Sequence, residues 1–117
     1  MSATLVSVID FILNQADENG VHKVFAAANQ RMETLRNARA AEVTEGMVVR
    51  LYDLRPKYLN GLEGEVVELT RNRKRKEIIA AVLLDERSTT EYSFHREVPP
   101  GTKRHRVRVP ASTCKVL

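Results

Sequence analysis

Among side chains suited to catalysis, the sequence offers His22, His95 and His105, the single Cys114, and the adjacent carboxylates Asp85-Glu86. The histidines lack metal-ligand spacing. His22 reads as following a helix cap, and the other two sit among arginines. Lys115 could lower the pKa of Cys114, but a lone Cys there more often packs as a small apolar residue. A single cysteine makes neither an internal disulfide nor a cysteine-cluster zinc site. Neighbouring carboxylates on a strand point to opposite faces, which argues against a shared acid–base site. Ser88, Thr89 and Thr90 lack the glycines of a nucleophile elbow, and no glycine run makes a phosphate loop. The expectation is therefore a non-enzymatic chain without catalytic residues, bound metal or cofactor.

Positive charge is the more promising chemistry. The 117 residues carry a net +4, unevenly spread. Residues 1–45 hold four basic and six acidic side chains, and residues 46–117 hold fifteen and nine. Basic groups bind phosphate backbones by displacing condensed counterions. The candidate contacts are Arg55 and Lys57, the run Arg71, Arg73, Lys74, Arg75 and Lys76, and Lys103, Arg104 and Arg106. Tyr58, beside Lys57, could stack on a base or pack as a lid over a core. The plain alternative for the charges is a solvated surface.

These residues need a scaffold, and the periodicity changes near residue 45. Before it, Leu5, Val8, Ile9, Ile12, Leu13 and Ala16 recur at helical spacing after a cap at Ser2 or Thr4. Asn19-Gly20 reads as a helix stop. A second helix runs from about Val21 to about Glu42, with Phe25, Ala28, Met32 and Leu35 spaced like a short coiled-coil seam. Residues 1–45 thus read as a helical hairpin. Its stripes, with Leu5, Ile9, Ile12, Phe25, Met32 and Leu35 as candidate oligomerisation residues, have three possible covers: the rest of the chain, a second copy, or another protein. A DNA-reading helix-turn-helix fits less well, because the basic residues are spread along the helix and interrupted by Glu33.

After residue 45 the period is two. Strands are expected at 47–53, 64–71, 77–85, 90–95, 104–109 and 114–117. Arg71–Lys76 should form a hairpin tip, Asp85–Ser88 a turn, and Pro110–Thr113 a single 3₁₀ turn. The continuous apolar run Ile78–Leu84 suits a central strand covered on both faces.

Within this region, Gly46, Val48, Leu51, Gly61, Gly64 and Val66 follow a strand–loop–Gly-x-x-Gly–strand pattern. The segment resembles a KOW motif, the core of SH3-like barrels in transcription elongation factors and some ribosomal proteins. The resemblance covers residues 46–67. The 3₁₀ turn expected before the last strand resembles that family too. The implied fold class is α+β: a helical hairpin at 1–45, then a small antiparallel SH3-like β-barrel at 46–117. The phrase Arg55-Pro-Lys-Tyr-Leu-Asn-Gly-Leu-Glu-Gly64 also resembles small phage-encoded and actinobacterial proteins.

KOW relatives contact RNA or protein through their loops. The resemblance implies a nucleic-acid-binding module, RNA- or DNA-directed, with basic loops on the phosphate backbone. The alternative is a protein–protein adaptor, phage-encoded and acting on host machinery, that uses the helices and the barrel surface. Aromatics are only 5% of the chain and Trp is absent. Proline-rich recognition is therefore a poor fit, and base stacking has few obvious agents. No apolar run approaches the ~20 residues that span a bilayer. The N-terminus lacks the basic start of a signal peptide. A cytoplasmic protein without membrane contact, able to form a homo-oligomer, is expected.

Overall fold

Thr4, itself extended, starts the first helix by accepting a hydrogen bond from the Ser7 amide at 3.2 Å. The computed structural model describes residues 4–74 and 77–117, so Ser2, the other candidate cap, lies outside them. The chain divides into two compact units, Met1–Leu35 and Arg36–Leu117.

The first unit contains α1 (Leu5–Asp10), a wide π turn (Phe11–Gln15) and most of α2 (Glu18–Ala41). Asn19-Gly20 does not stop a helix. Both residues lie in the first turn of α2, and the break falls at Ala16-Asp17. The reason is Asp17, whose carboxylate accepts from the Gly20 amide at 2.7 Å. An aspartate cap followed by Glu18 complements the positive end of the helix dipole. No residue of α1 or the π turn is buried.

The second unit begins with the last turns of α2, where Ala40 is buried, and continues through β1 (Val48–Leu51), β2 (Glu63–Asn72), β3 (Glu77–Leu84), α3 (Glu86–Ser93), β4 (Arg106–Pro110) and β5 (Cys114–Val116). The strands form one antiparallel sheet in the order β4-β3-β2-β1-β5. Strand residues alternate faces. Val49 and Leu51, Val66, Ala80, Val82 and Leu84, and Val107 and Val109 therefore share an inner face, with Leu62, Ala40, Val43, Ala111 and Cys114 packed among them. Burying each of Leu51, Leu62 and Leu84 contributes about 1.5–3 kcal/mol.

The sheet is strongly curled. β4 and β5 are its opposite edges, which a flat five-stranded sheet would hold roughly 19 Å apart. A three-residue 3₁₀ turn, Ala111–Thr113, joins them. Among the described residues no ladder links β4 to β5, so the sheet is not closed into a barrel. Gly64 allows a close approach within the sheet. A Cβ there would lie 2.5 Å from the Leu83 carbonyl oxygen. Gly61, at φ +90°, turns the chain into β2.

One expected strand is a helix. Residues 90–95 belong to α3 and its C-terminal turn. The Asp85 carboxylate accepts from the Ser88 amide at 2.7 Å, so the Asp85–Ser88 segment read as a turn is a helix start. The alternation of Tyr92 and Phe94 mimicked a strand. In the helix Tyr92 is half-buried, and Phe94, the capping residue, is 77% exposed. Two buried hydroxyls tie the helix down. Ser88 Oγ accepts from the Glu63 amide at 2.8 Å, and Thr89 Oγ1 from the His105 amide at 2.9 Å.

The apolar run of β3 is explained on both faces. Ala81 points away from the core yet is 4% exposed. Arg106 on β4 pairs with Glu68 on β2. Since β3 lies between those strands, the two side chains must arch over it, and a small residue beneath suits that roof.

Candidate functional site

The loop before β2 carries Arg55, Lys57 and Tyr58, and Asn60 holds its shape. The Asn60 side chain accepts from the Leu54 amide at 2.8 Å and donates to the Leu54 carbonyl at 3.2 Å. Lys57–Leu59 coil into one 3₁₀ turn. Leu54 and Leu59 pack against the core from this loop. Its conformation is thereby anchored from below while Arg55 and Lys57 are exposed.

The C-terminal turn of α3 faces this loop. The Tyr92 carbonyl accepts from the amides of both His95 and Arg96, at 3.0 Å each. The His95 ring lies parallel to Tyr58, with centroids 4.6 Å apart and planes 5° apart. Tyr92 meets Tyr58 edge to face at 6.1 Å, and His105 stacks on Tyr92 at 4.9 Å. Four rings thus form a continuous row: His95, Tyr58, Tyr92, His105. Arg96 Nε donates to the Tyr58 hydroxyl at 2.8 Å. That hydrogen bond, with the electrostatic pull of Tyr58 and then Tyr92, raises the guanidinium's pKa further. Arg96 is a permanent cation fixed at the rim of the stack.

The basic candidates separate into two groups. Arg55, Lys57, Lys103 and Arg104 stand at the same end of the β2–β3 hairpin as the ring row, near the pairs Gly64–Leu84 and Leu83–Arg106. Among the described residues Arg55, Lys57 and Lys103 are exposed and form no ion pair. Arg104 is engaged with backbone: Nε and Nη2 donate to the carbonyls of Leu84 and Leu83, at 3.0 and 3.1 Å. Arg106 is held by Glu68. Arg71, Arg73 and Lys74 lie at the other end: Arg71 is still in β2, paired with Ile78, and Arg73 and Lys74 lie beyond the pair Asn72–Glu77. Eight residues of strand separate the two ends, roughly 25 Å. The Asn72 side chain accepts from the Lys74 amide at 3.0 Å and shapes the start of the tip. Arg75 and Lys76 lie outside the described residues.

The candidate oligomerisation residues are largely exposed. Leu5 is 74% and Phe25 67% exposed; Ile9, Met32 and Leu35 are also exposed, and Ile12 is half-buried. Cys114 is 4% exposed, and burial pushes its thiol up to about 11, despite a hydrogen bond with Thr113 that acts the other way. Among the described residues no group of three or more His, Cys, Asp or Glu is placed to hold a metal ion. No helix there is long and apolar enough to cross a membrane. An open groove of about 440 Å³ separates α3 from the 98–103 loop. The Thr90 and Ser93 hydroxyls lining it already donate to the Glu86 and Thr90 carbonyls.

Sequence reasoning missed Tyr92, His95, Arg96, His105 and Asn60. The available signal was Asp85, a cap three residues before Ser88. A helix started there brings Tyr92 and His95 onto neighbouring positions, three apart. Comparison of the chain with protein-family models, curated proteins and solved structures finds no match.

Proposed function

We propose that this chain is a small nucleic-acid-binding module without enzymatic activity, holding the phosphate backbone through basic loops of an SH3-like fold. One observation carries the reading: Arg55, Lys57, Arg96 and Lys103 gather at the end of the sheet where the Tyr58 ring row stands. Cations beside stacked rings are what a backbone with attached bases requires. The basic tip at the other end of the hairpin adds phosphate contacts. The SH3-like description is supported by the curled antiparallel sheet and by the 3₁₀ turn before β5.

The test is fluorescence anisotropy with labelled DNA and RNA at about 50 and about 200 mM salt. Each phosphate contact should steepen the fall of log affinity with log salt by about 0.9 on duplex DNA. Replacing Arg73, Lys74 and Arg75 by Ala should weaken binding alike across sequences and flatten that slope. Absence of binding at the lower salt rejects the proposal.

A second reading, a protein adaptor or self-associating chain, is favoured by the exposed faces of α1 and α2. Phe25, Met32 and Leu35 continue a heptad-like spacing along one helix, and such a face lowers its free energy by pairing. Sedimentation equilibrium at high micromolar concentration tests it. A mass above the 13.3 kDa monomer that falls on Phe25→Glu substitution supports pairing, and a monomer throughout rejects self-association.

A further inference from the structure

We propose that the Tyr58–His95 stack is a docking platform for unpaired bases, so that the ligand is single-stranded nucleic acid rather than duplex. It rests on the nucleic-acid reading above and narrows the ligand to a chemical class. Three features carry it. First, the outer pair of the row, Tyr58 and His95, is already parallel to within 5°, and the row ends at His95, an exposed residue. A planar base added there continues a stack whose geometry is set before the ligand arrives, which lowers the ordering cost. Every base has a π face, so such a platform is tolerant of sequence.

Second, a base inside a duplex has both faces covered by its neighbours. Only an unpaired or splayed base can meet a protein ring face to face. A stacking platform therefore selects single strands, whereas among the described residues the basic tip has no such ring row beside it and offers only charge to the backbone.

Third, Arg96 is positioned for the phosphate of the same nucleotide. Its Nε is spent on the Tyr58 hydroxyl, which leaves both terminal nitrogens to form a fork. Lys57 precedes Tyr58 and is exposed, so cations flank the stack on two elements.

The experiment uses oligothymidine and oligouridine, each carrying one 2-aminopurine, against a duplex of equal length. Both single strands should bind about 10-fold tighter than the duplex, and 2-aminopurine emission should be quenched as its base stacks. His95→Ala should weaken single-strand binding about 5- to 100-fold and leave the salt slope unchanged, with an unaltered melting curve. His95→Phe should restore binding, because it keeps a flat ring without the imidazole nitrogens. Equal affinity for single strand and duplex, or a His95→Ala variant that binds single strands like the parent, overturns the platform while leaving backbone binding intact. Failure of His95→Phe to restore binding overturns stacking in favour of imidazole charge or hydrogen bonding. If no nucleic acid binds even at low salt, the broader reading fails and the platform with it.

Discussion

Cys114 and Gly64 show how much of the fold hangs on single atoms. The Cys114 thiol ionises near pH 9.0 when unconstrained and at about 11 in the fold, because burial disfavours the thiolate. Between those values the unfolded chain has lost a proton that the folded chain retains, so rising pH favours unfolding. The contribution is fully present below about pH 9 and lost by about pH 11, amounting to roughly 2–3 kcal/mol. Urea titrations across that window should show this alkaline loss in the parent and its absence in Cys114→Ala. At Gly64 the limit is steric. A methyl group would meet the Leu83 carbonyl and Val82 Cγ1, at 2.5 and 2.8 Å. Neither the carbonyl nor a fully buried valine can yield without moving the β2–β3 ladder. Gly64→Ala should cost about 1–3 kcal/mol, read as a lower urea midpoint at unchanged slope.

The ring row depends on where α3 begins. Asp85 caps the helix whose far turn delivers Tyr92, His95 and Arg96. Asp85→Ala should cost about 0.5–2 kcal/mol of stability and shift the His95 and His105 ring proton resonances, since both rings lie against tyrosines. The same capping signal marks the limit of what the sequence reveals. β1, β2 and β4 are legible because the segments around Val48–Leu51, Val66 and Arg106–Val109 follow a period of two, and β3 because Ile78–Leu84 is a continuous apolar run. At 90–95 the period misleads, since Tyr92 and Phe94 alternate as strand residues do while Asp85 and Glu86 set up a helix. Asn19-Gly20 misleads similarly, because Asp17 outcompetes it as the local signal. Lys57 and Tyr58 are legible as a loop. Their partners are not, because the stack joins residues almost forty positions apart and no local pattern records such a meeting. Arg106 illustrates the converse: basic by sequence, it is committed to Glu68 across β3, so Arg106→Ala should disturb the sheet roof by less than about 1 kcal/mol.

At the scale of the whole molecule, the sheet places its two kinds of positive charge at opposite ends. The ring-bearing end and the basic tip are separated by the length of the β2–β3 hairpin, so a strand contacting both must run along it. The pairing pattern has another consequence, in time rather than space. The β2–β3 hairpin joins Asn72 to Glu77 across five positions, whereas β1–β5 joins Val49 to Val116, 67 positions apart. By loop-closure entropy the longer pairing costs roughly 2 kcal/mol more to initiate, and the last strand should dock after the folding barrier is crossed. Stopped-flow chevrons can check this. Val82→Ala, in the hairpin, should slow folding. Val116→Ala should leave folding almost untouched and accelerate unfolding, which makes the brief β5 strand the latch that sets how long the folded state survives.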